Sequence, residues 1–276
     1  MKLAVVTGIA RYTGIGHAIC DNFLAEGLSV IGLDINPLDT LSFLPSKYPN
    51  RFRSRVCRVD ADPSTLNQYL RSAMNELGCN YIDVVVNNAG IANPYMPGDG
   101  TCTISSEDTL MRRLNERIEL YDNYIQNNLR SAFLVTEVCK KYFPPPNIGA
   151  TPSIKLPNAS IIHISSTRAK ASEHGLSHSQ EGYASAKAGL IGLTHAQGQS
   201  MSGIARVNVI LPGWISTDND YVPSEEDHKW HSSGRVGNPK DVAEMVAFLA
   251  DNEKSGFVTC QEFTVDGGVT KRMYYP

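Results

Sequence analysis

Tyr183, Ala184, Ser185, Ala186 and Lys187 set a phenol and an ammonium four residues apart, one above the other on a helix face. Alone, the pair also admits a plain reading, an exposed tyrosine stacked on a lysine stem. Ser165 and Ser166 lie upstream, just past an apolar run that reads as a strand, where a parallel sheet presents its ligand groups. A phenol of pKa about 10 is a poor acid–base at neutral pH. An adjacent ammonium, and any further cation bound beside it, favours phenolate and moves that pKa toward neutrality. A serine hydroxyl can then hold a substrate oxygen beside the phenol.

A second set lies near the N-terminus. The segment Thr7-Gly8-Ile9-Ala10-Arg11-Tyr12-Thr13-Gly14-Ile15-Gly16 joins a first strand to a first helix. Gly8 permits a tight turn, Gly14 lets the backbone approach a diphosphate, and Gly16 permits close packing of helix on strand. The helix N-terminus then points free N–H groups and its positive dipole at phosphates. Asp34, just past the second strand, can accept both hydroxyls of an adenosine ribose and would repel a 2′-phosphate. NAD is therefore favoured; Arg11 and Arg51 leave NADP open. The alternative is a plain glycine-rich turn with a solvated aspartate.

The elements that must position these residues alternate. Strand patterns cover Leu3 to Val6, Leu28 to Leu33, Phe52 to Val59, Ile82 to Val86, Ser160 to Ile164, Ala205 to Leu211 and Glu262 to Val265. Helical patterns cover 14–26, 63–77 (with Asp62 as cap and Pro63 in the first turn), 121–142, 180–200 and 239–250. The charged stretch 107–119 reads as a solvated helix face. This rhythm predicts an α/β fold, a Rossmann-like doubly wound parallel sheet of about seven strands with helices on both faces. Segments 92–106 and 144–158, rich in Pro and Gly, read as loop insertions in a single domain spanning 1–276.

The chain of 276 residues is 42% hydrophobic and 19% charged, enough to bury a core. Its 25 basic and 28 acidic residues argue against a nucleic-acid or membrane-surface protein. No apolar run suits a membrane helix, and the N-terminal run is too short for a signal peptide. Six cysteines at 20, 57, 79, 102, 139 and 260 have long, irregular spacings, which suits free thiols in the cytoplasm. His174 and His178 lack an acidic or cysteine partner at ligand spacing, so no metal is expected. His178 or Gln180 is a candidate substrate-pocket residue, His163 a core or interface group, and Trp214 a pocket wall or a packing residue.

These motifs, in order, resemble the short-chain dehydrogenase/reductase family in its single-domain form. The resemblance runs from Thr7-Gly8…Gly14-Ile15-Gly16 through Asp60, Asn87-Asn88-Ala89-Gly90, Asn128-Leu129, Ile164-Ser165-Ser166 and Tyr183…Lys187. It continues to Pro212-Gly213-Trp214-Ile215-Ser216-Thr217 and Val265-Asp266-Gly267-Gly268. It implies Tyr183 as acid/base and Lys187 as the residue that lowers its pKa and holds the nicotinamide ribose. Ser166 is implied as donor to the substrate oxygen, and Asn128 as holder of a water in a proton relay. Asp60, with Ala61 beside it, would meet the adenine amino group. Asn88, Ala89 and Gly90 would pack on the adenosine side. Pro212, Gly213, Ile215 and Thr217 would approach the nicotinamide or diphosphate.

The implied function is an NAD(P)-dependent oxidoreductase interconverting a secondary alcohol and a carbonyl, acting on a small-molecule substrate as a homo-oligomer, dimer or tetramer. Alternatives are a non-catalytic NAD-binding sensor on the same fold and a dehydratase or epimerase of the related extended family. The chain departs from the family in four places. The glycine loop is longer than usual, the Ser166–Tyr183 spacing is longer, the Pro-rich loops are longer, and Cys260 stands where glycine is common. Enoyl reductases of the superfamily share a lengthened loop, but they space their Tyr and Lys differently.

Overall fold

Continuous apolar runs suit strands covered on both faces. The computed structural model describes residues 2–60, 62–92, 107–148, 155–172, 180–217 and 221–273. Its elements are β1 (Leu3–Thr7), α1 (Ile15–Ala25), β2 (Ser29–Asp34), α2 (Leu44–Lys47), β3 (Phe52–Val56), α3 (Pro63–Leu77) and β4 (Val84–Asn87). Next come α4 (Glu107–Ile125), a π-helical turn (Gln126–Arg130), α5 (Ser131–Lys140), β5 (Asn147–Ile148), β6 (Lys155–Leu156) and β7 (Ala159–Ile164). A 3-10 turn (Thr167–Ala169), α6 (Gln180–Ser200), β8 (Ala205–Pro212), α7 (Glu225–Lys229), α8 (Pro239–Ala250), α9 (Asn252–Ser255) and β9 (Glu262–Val265) follow.

Seven strands form one sheet in the order β3-β2-β1-β4-β7-β8-β9. Every neighbouring pair is parallel. Alternate residues of a strand serve opposite faces. Leu3 and Val5 of β1 pack under α3 and α5 with Leu66, Leu70, Leu134 and Val135. Ala4 and Val6 face α1 and α8 with Ile19, Phe23, Val242 and Val246. β2 and β3 extend the sheet on one side of β1 and β4 on the other. The strand order therefore reverses between β1 and β4, which opens a crevice at their carboxyl ends.

The expected fold class is observed, and helix 180–200 and the last strand have the expected bounds. Asp62 caps α3 by accepting from the Thr65 N–H, and Gly78 ends it in a left-handed conformation at φ 65°. Several other bounds move by one or two residues, and three differences are larger. The third strand ends at Val56 rather than Val59. The helix expected from 121 starts at Glu107, so the charged stretch 107–119 belongs to it, and a π turn interrupts it at 126–130. Within 144–158, β5 and β6 form a short antiparallel ladder. Most of 92–106 lies outside the described residues.

Candidate active site

Each candidate group is carried to the crevice by the end of a strand or by a helix crossing above it. β7 ends at Ile164, so Ser165 and Ser166 emerge at its carboxyl end. Ser165 is buried, and its hydroxyl donates to the Lys187 carbonyl at 2.7 Å, fixing α6 against the strand. Ser166 faces the cavity and caps the 3-10 turn, accepting from the Arg168 N–H at 3.1 Å. Tyr183 and Lys187, one turn apart on α6, reach the same space. Lys187 Nζ donates to the Ile164 carbonyl at 2.9 Å and stands 5.7 Å from the Tyr183 ring centroid.

Asn128 sits within the π turn, a helix defect that recurs at functional sites. Its Nδ2 donates to the Ile91 and Tyr124 carbonyls, each at 3.1 Å, and its buried Oδ1 has no donor among the described residues. Gly90, at the end of β4, makes room for this arrangement. A Cβ there would overlap Asn128 Oδ1 and stand 3.4 Å from Lys187 Nζ. Ser166, Tyr183, Lys187 and Asn128 thus share one cavity of about 330 Å³. Ile15, Asn88, Gly90, Pro212, Gly213, Trp214, Ile215 and Thr217 line it too.

Burial sets the site's electrostatics. It pushes the Tyr183 phenol up, opposed by a hydrogen bond with Ser166 and by the Arg168 charge. It pushes the Lys187 ammonium down to about 8. The protein's own groups therefore do not deliver the lowered Tyr183 pKa expected from the sequence. Burial outweighs the Ser166 hydrogen bond and the Arg168 charge, and the site holds a neutral phenol beside an ammonium that gives up its proton readily.

The glycine loop and Asp34 build the other end. Gly8 has φ 76°, and a Cβ there would meet the Ala89 backbone at 2.8 Å. Gly16 lies tight against the Gly8 carbonyl, with no room for a side chain. Asn88 and Ala89 donate their N–H groups to Thr7 Oγ1, at 3.1 and 2.9 Å, which locks the ends of β1 and β4 together. The N-cap of α1 is Gly14, with no side-chain cap, so first-turn N–H groups are left for a ligand.

Asp34 ends β2. Its Oδ2 accepts from the Ala10 N–H at 2.8 Å and its Oδ1 from the Asn36 N–H at 3.0 Å. The carboxylate thus braces the glycine loop, and it is not part of the cavity lining. Thr13 does not line the cavity; its hydroxyl donates to the Thr217 carbonyl. Asp60 is buried apart from the cavity, against the π turn. Burial works against its carboxylate, but hydrogen bonds from Arg58 and Gln126 outweigh this and hold its pKa below the ordinary value. Ala61, His174 and His178 lie outside the described residues.

Four residues near the site were not singled out from the sequence. Tyr124, buried, meets Tyr183 edge-on at 5.9 Å between ring centroids. Gly182 allows this, since a Cβ there would stand 3.0 Å from the Tyr124 ring. Gln126 Nε2 donates to Asp60 Oδ2 at 3.1 Å, and Arg130 Nη1 to the Asp60 carbonyl at 2.8 Å. The spacing of Tyr124 one turn before Asn128, and of Gln126 and Arg130 around it, was the available signal. An unbroken helical period hides it.

The site suits a dinucleotide: an uncapped helix N-terminus, an acid at the end of the neighbouring strand, and a cavity lined by both polar and apolar groups. A family model described as enoyl-(acyl carrier protein) reductase, within the short-chain dehydrogenase/reductase family, matches residues 8–270. An uncharacterized oxidoreductase of Thermotoga maritima is 33% identical, over 99% of this chain and 98% of its own. A 3-oxoacyl-(acyl-carrier-protein) reductase of the same organism is 32% identical, over 97% of each. The solved structure of an apo SCOR enzyme from Clostridium thermocellum superimposes with a TM-score of 0.73 at 31% identity, covering 99% of this chain and 95% of that one. The chain is an oxidoreductase that belongs to the short-chain dehydrogenase/reductase family.

Proposed function

We propose that the protein interconverts a secondary alcohol and a carbonyl, using NAD in preference to NADP. One observation carries this: Ser166, Tyr183, Lys187 and Asn128 converge on one cavity at the carboxyl ends of a parallel sheet. A nicotinamide dinucleotide, when bound, supplies the hydride exchange. The first-turn N–H groups of α1 would hold its diphosphate, Asp34 its adenosine ribose, and Lys187 its second ribose. Asp60 would meet the adenine, and the segment from Pro212 to Thr217 would flank the nicotinamide.

The proton chemistry belongs to the chain. Ser166 and Tyr183 are within hydrogen-bonding reach of each other in the cavity, so one substrate oxygen could meet both hydroxyls. In reduction Tyr183 gives its proton to the carbonyl oxygen; in oxidation it would take the proton from the alcohol as phenolate, a form that a bound nicotinamide cation favours. Lys187 resupplies Tyr183, and Asn128 Oδ1 accepts a hydrogen bond along the path to solvent. Tyr183→Phe should lower carbonyl reduction by about 10²–10⁴-fold and retain NADH binding, measured over a panel of ketones, sugars and acyl ketones. Equal turnover by the variant on any accepted substrate removes Tyr183 from this role.

Cofactor choice rests on Asp34. The ratio of kcat/KM for NADH over NADPH should exceed one and fall in Asp34→Ser, because the carboxylate that repels a 2′-phosphate is gone. A wild-type preference for NADPH would overturn the assignment.

We further propose a homo-oligomer, supported by an apolar stripe along α4 in which Leu110, Leu114, Ile118 and Tyr121 are each more than 40% exposed. A cytoplasmic location is supported by five described cysteines that are all free, four of them buried. One sheet carrying both the nucleotide loop and the catalytic set supports a single functional unit.

A further inference from the structure

The lengthened glycine loop is braced along its course. Ala10 donates to Asp34 Oδ2 at 2.8 Å and accepts from the Asp39 N–H at 2.9 Å. Tyr12 packs edge-on against His17 and Phe43, at 5.3 and 6.1 Å between centroids. The Gly14 N–H closes a turn on the Arg11 carbonyl at 2.9 Å. These anchors all lie on the β1–β2 side of the crevice. The last one does not. Thr13 Oγ1 donates to the Thr217 carbonyl at 2.6 Å, and Arg11 Nη1 reaches the same oxygen at 3.5 Å. Thr217 follows β8, which is separated from β1 by β4 and β7. Ile15 and Thr217 line the same cavity from its two sides.

We propose that Arg11 to Thr13 form a strap across the mouth of the cleft, and that opening the Thr13–Thr217 bond gates the exchange of the dinucleotide. The inference rests on the reading that this cleft takes a nicotinamide dinucleotide. Such a ligand has a bulky group at each end of its diphosphate. A diphosphate held at the N-terminus of α1 would sit beside the strap, and one bulky end would have to pass it. The strap joins protein to protein, so its closure uses no atom of the ligand. Breaking it therefore belongs to the barrier for entry as much as to the barrier for release. A direct contact from Thr13 to the diphosphate gives a different pattern, in which only release depends on it.

Thr13→Val keeps the shape and removes the donor. NADH association and dissociation are measured by stopped-flow fluorescence. Backbone amide exchange is measured in the protein without nucleotide. The rate constants for binding and release should both rise about fivefold, while Kd moves far less than either. Exchange should quicken together in 10–14 and 214–217. Unchanged rates and exchange overturn the strap. So does release that quickens at constant association, with Kd rising in step, which makes Thr13 an ordinary ligand contact. Wild-type protein that binds neither NADH nor NADPH overturns the functional reading itself, and the strap's role with it.

Discussion

Asn87, Thr136, His163 and Gln197 come from β4, α5, β7 and α6 and meet in the interior. Asn87 Nδ2 donates to Thr136 Oγ1 at 3.0 Å and to His163 Nδ1 at 3.1 Å, and the opposite ring N–H donates to Gln197 Oε1 at 3.0 Å. This places the imidazole proton on Nε2 and leaves no acceptor for a second one. Burial pushes its pKa down to about 4, with Lys187 acting in the same direction and Gln197 against it. The unfolded chain therefore takes up a proton near pH 6.5 that the folded imidazole refuses, so stability falls as pH drops from 6.5 toward 4. The loss from this residue should be about 3 kcal/mol over that window. Urea unfolding of wild type and His163→Gln at pH 7 and at pH 4.5 checks it. The variant should start less stable and lose less, whereas equal losses would assign the acid sensitivity elsewhere. The sequence showed His163 as an interior residue from its place in an apolar strand. Its partners come from distant segments, which spacing along one chain does not reveal. The same limit separates Tyr183 and Lys187, legible at helical spacing, from Tyr124, which reaches the site only because Gly182 lets α4 come close.

Strands and helices were legible where one period runs unbroken. Pro63 and Pro239 mark helix starts, and the continuous apolar runs of β1, β2 and β4 mark strands covered on both faces. The π turn was not legible, because five residues at 126–130 keep the composition of a helix while changing its hydrogen bonding. β5 and β6, at two residues each, are too short to show alternation. The π turn matters because Gln126 and Arg130 hold Asp60 while Asn128, between them, turns toward Lys187 and Gly90. One short segment thus ties the expected adenine wall to the expected proton path. Arg130→Ala should cost about 1 kcal/mol of stability and raise the Kd for NADH several-fold, while Arg130→Lys, which keeps a donor, should recover part of both. Thermal denaturation together with nucleotide titration checks this. A variant whose melting temperature falls while its affinity stays unchanged would confine Arg130 to packing.

The apolar stripe on α4 lies beside α6, to which Arg117 ties it through Glu181 at 3.1 Å. The helix that carries Tyr183 is therefore neighbour to the surface expected between copies. Leu114→Glu with Ile118→Glu should shift the assembly to a smaller species in light scattering, because charges on such a face resist burial. An unchanged mass would exclude α4 from the interface. A different consequence follows from the two tryptophans, Trp214 and Trp230. Both lie in the segment after β8 and both are partly exposed. Trp214 lines the cavity and stacks on Tyr221 at 5.9 Å, and Trp230 lies under the Arg272 guanidinium at 5.6 Å. Tryptophan emission, excited apart from the tyrosines, is thus a built-in probe of the segment after β8, where Trp214 forms part of one wall of the cleft, and carries no signal from the strands. Emission that changes on adding nucleotide reports that wall without a label, and a melt followed by emission and by circular dichroism in parallel separates its loosening from the loss of the fold.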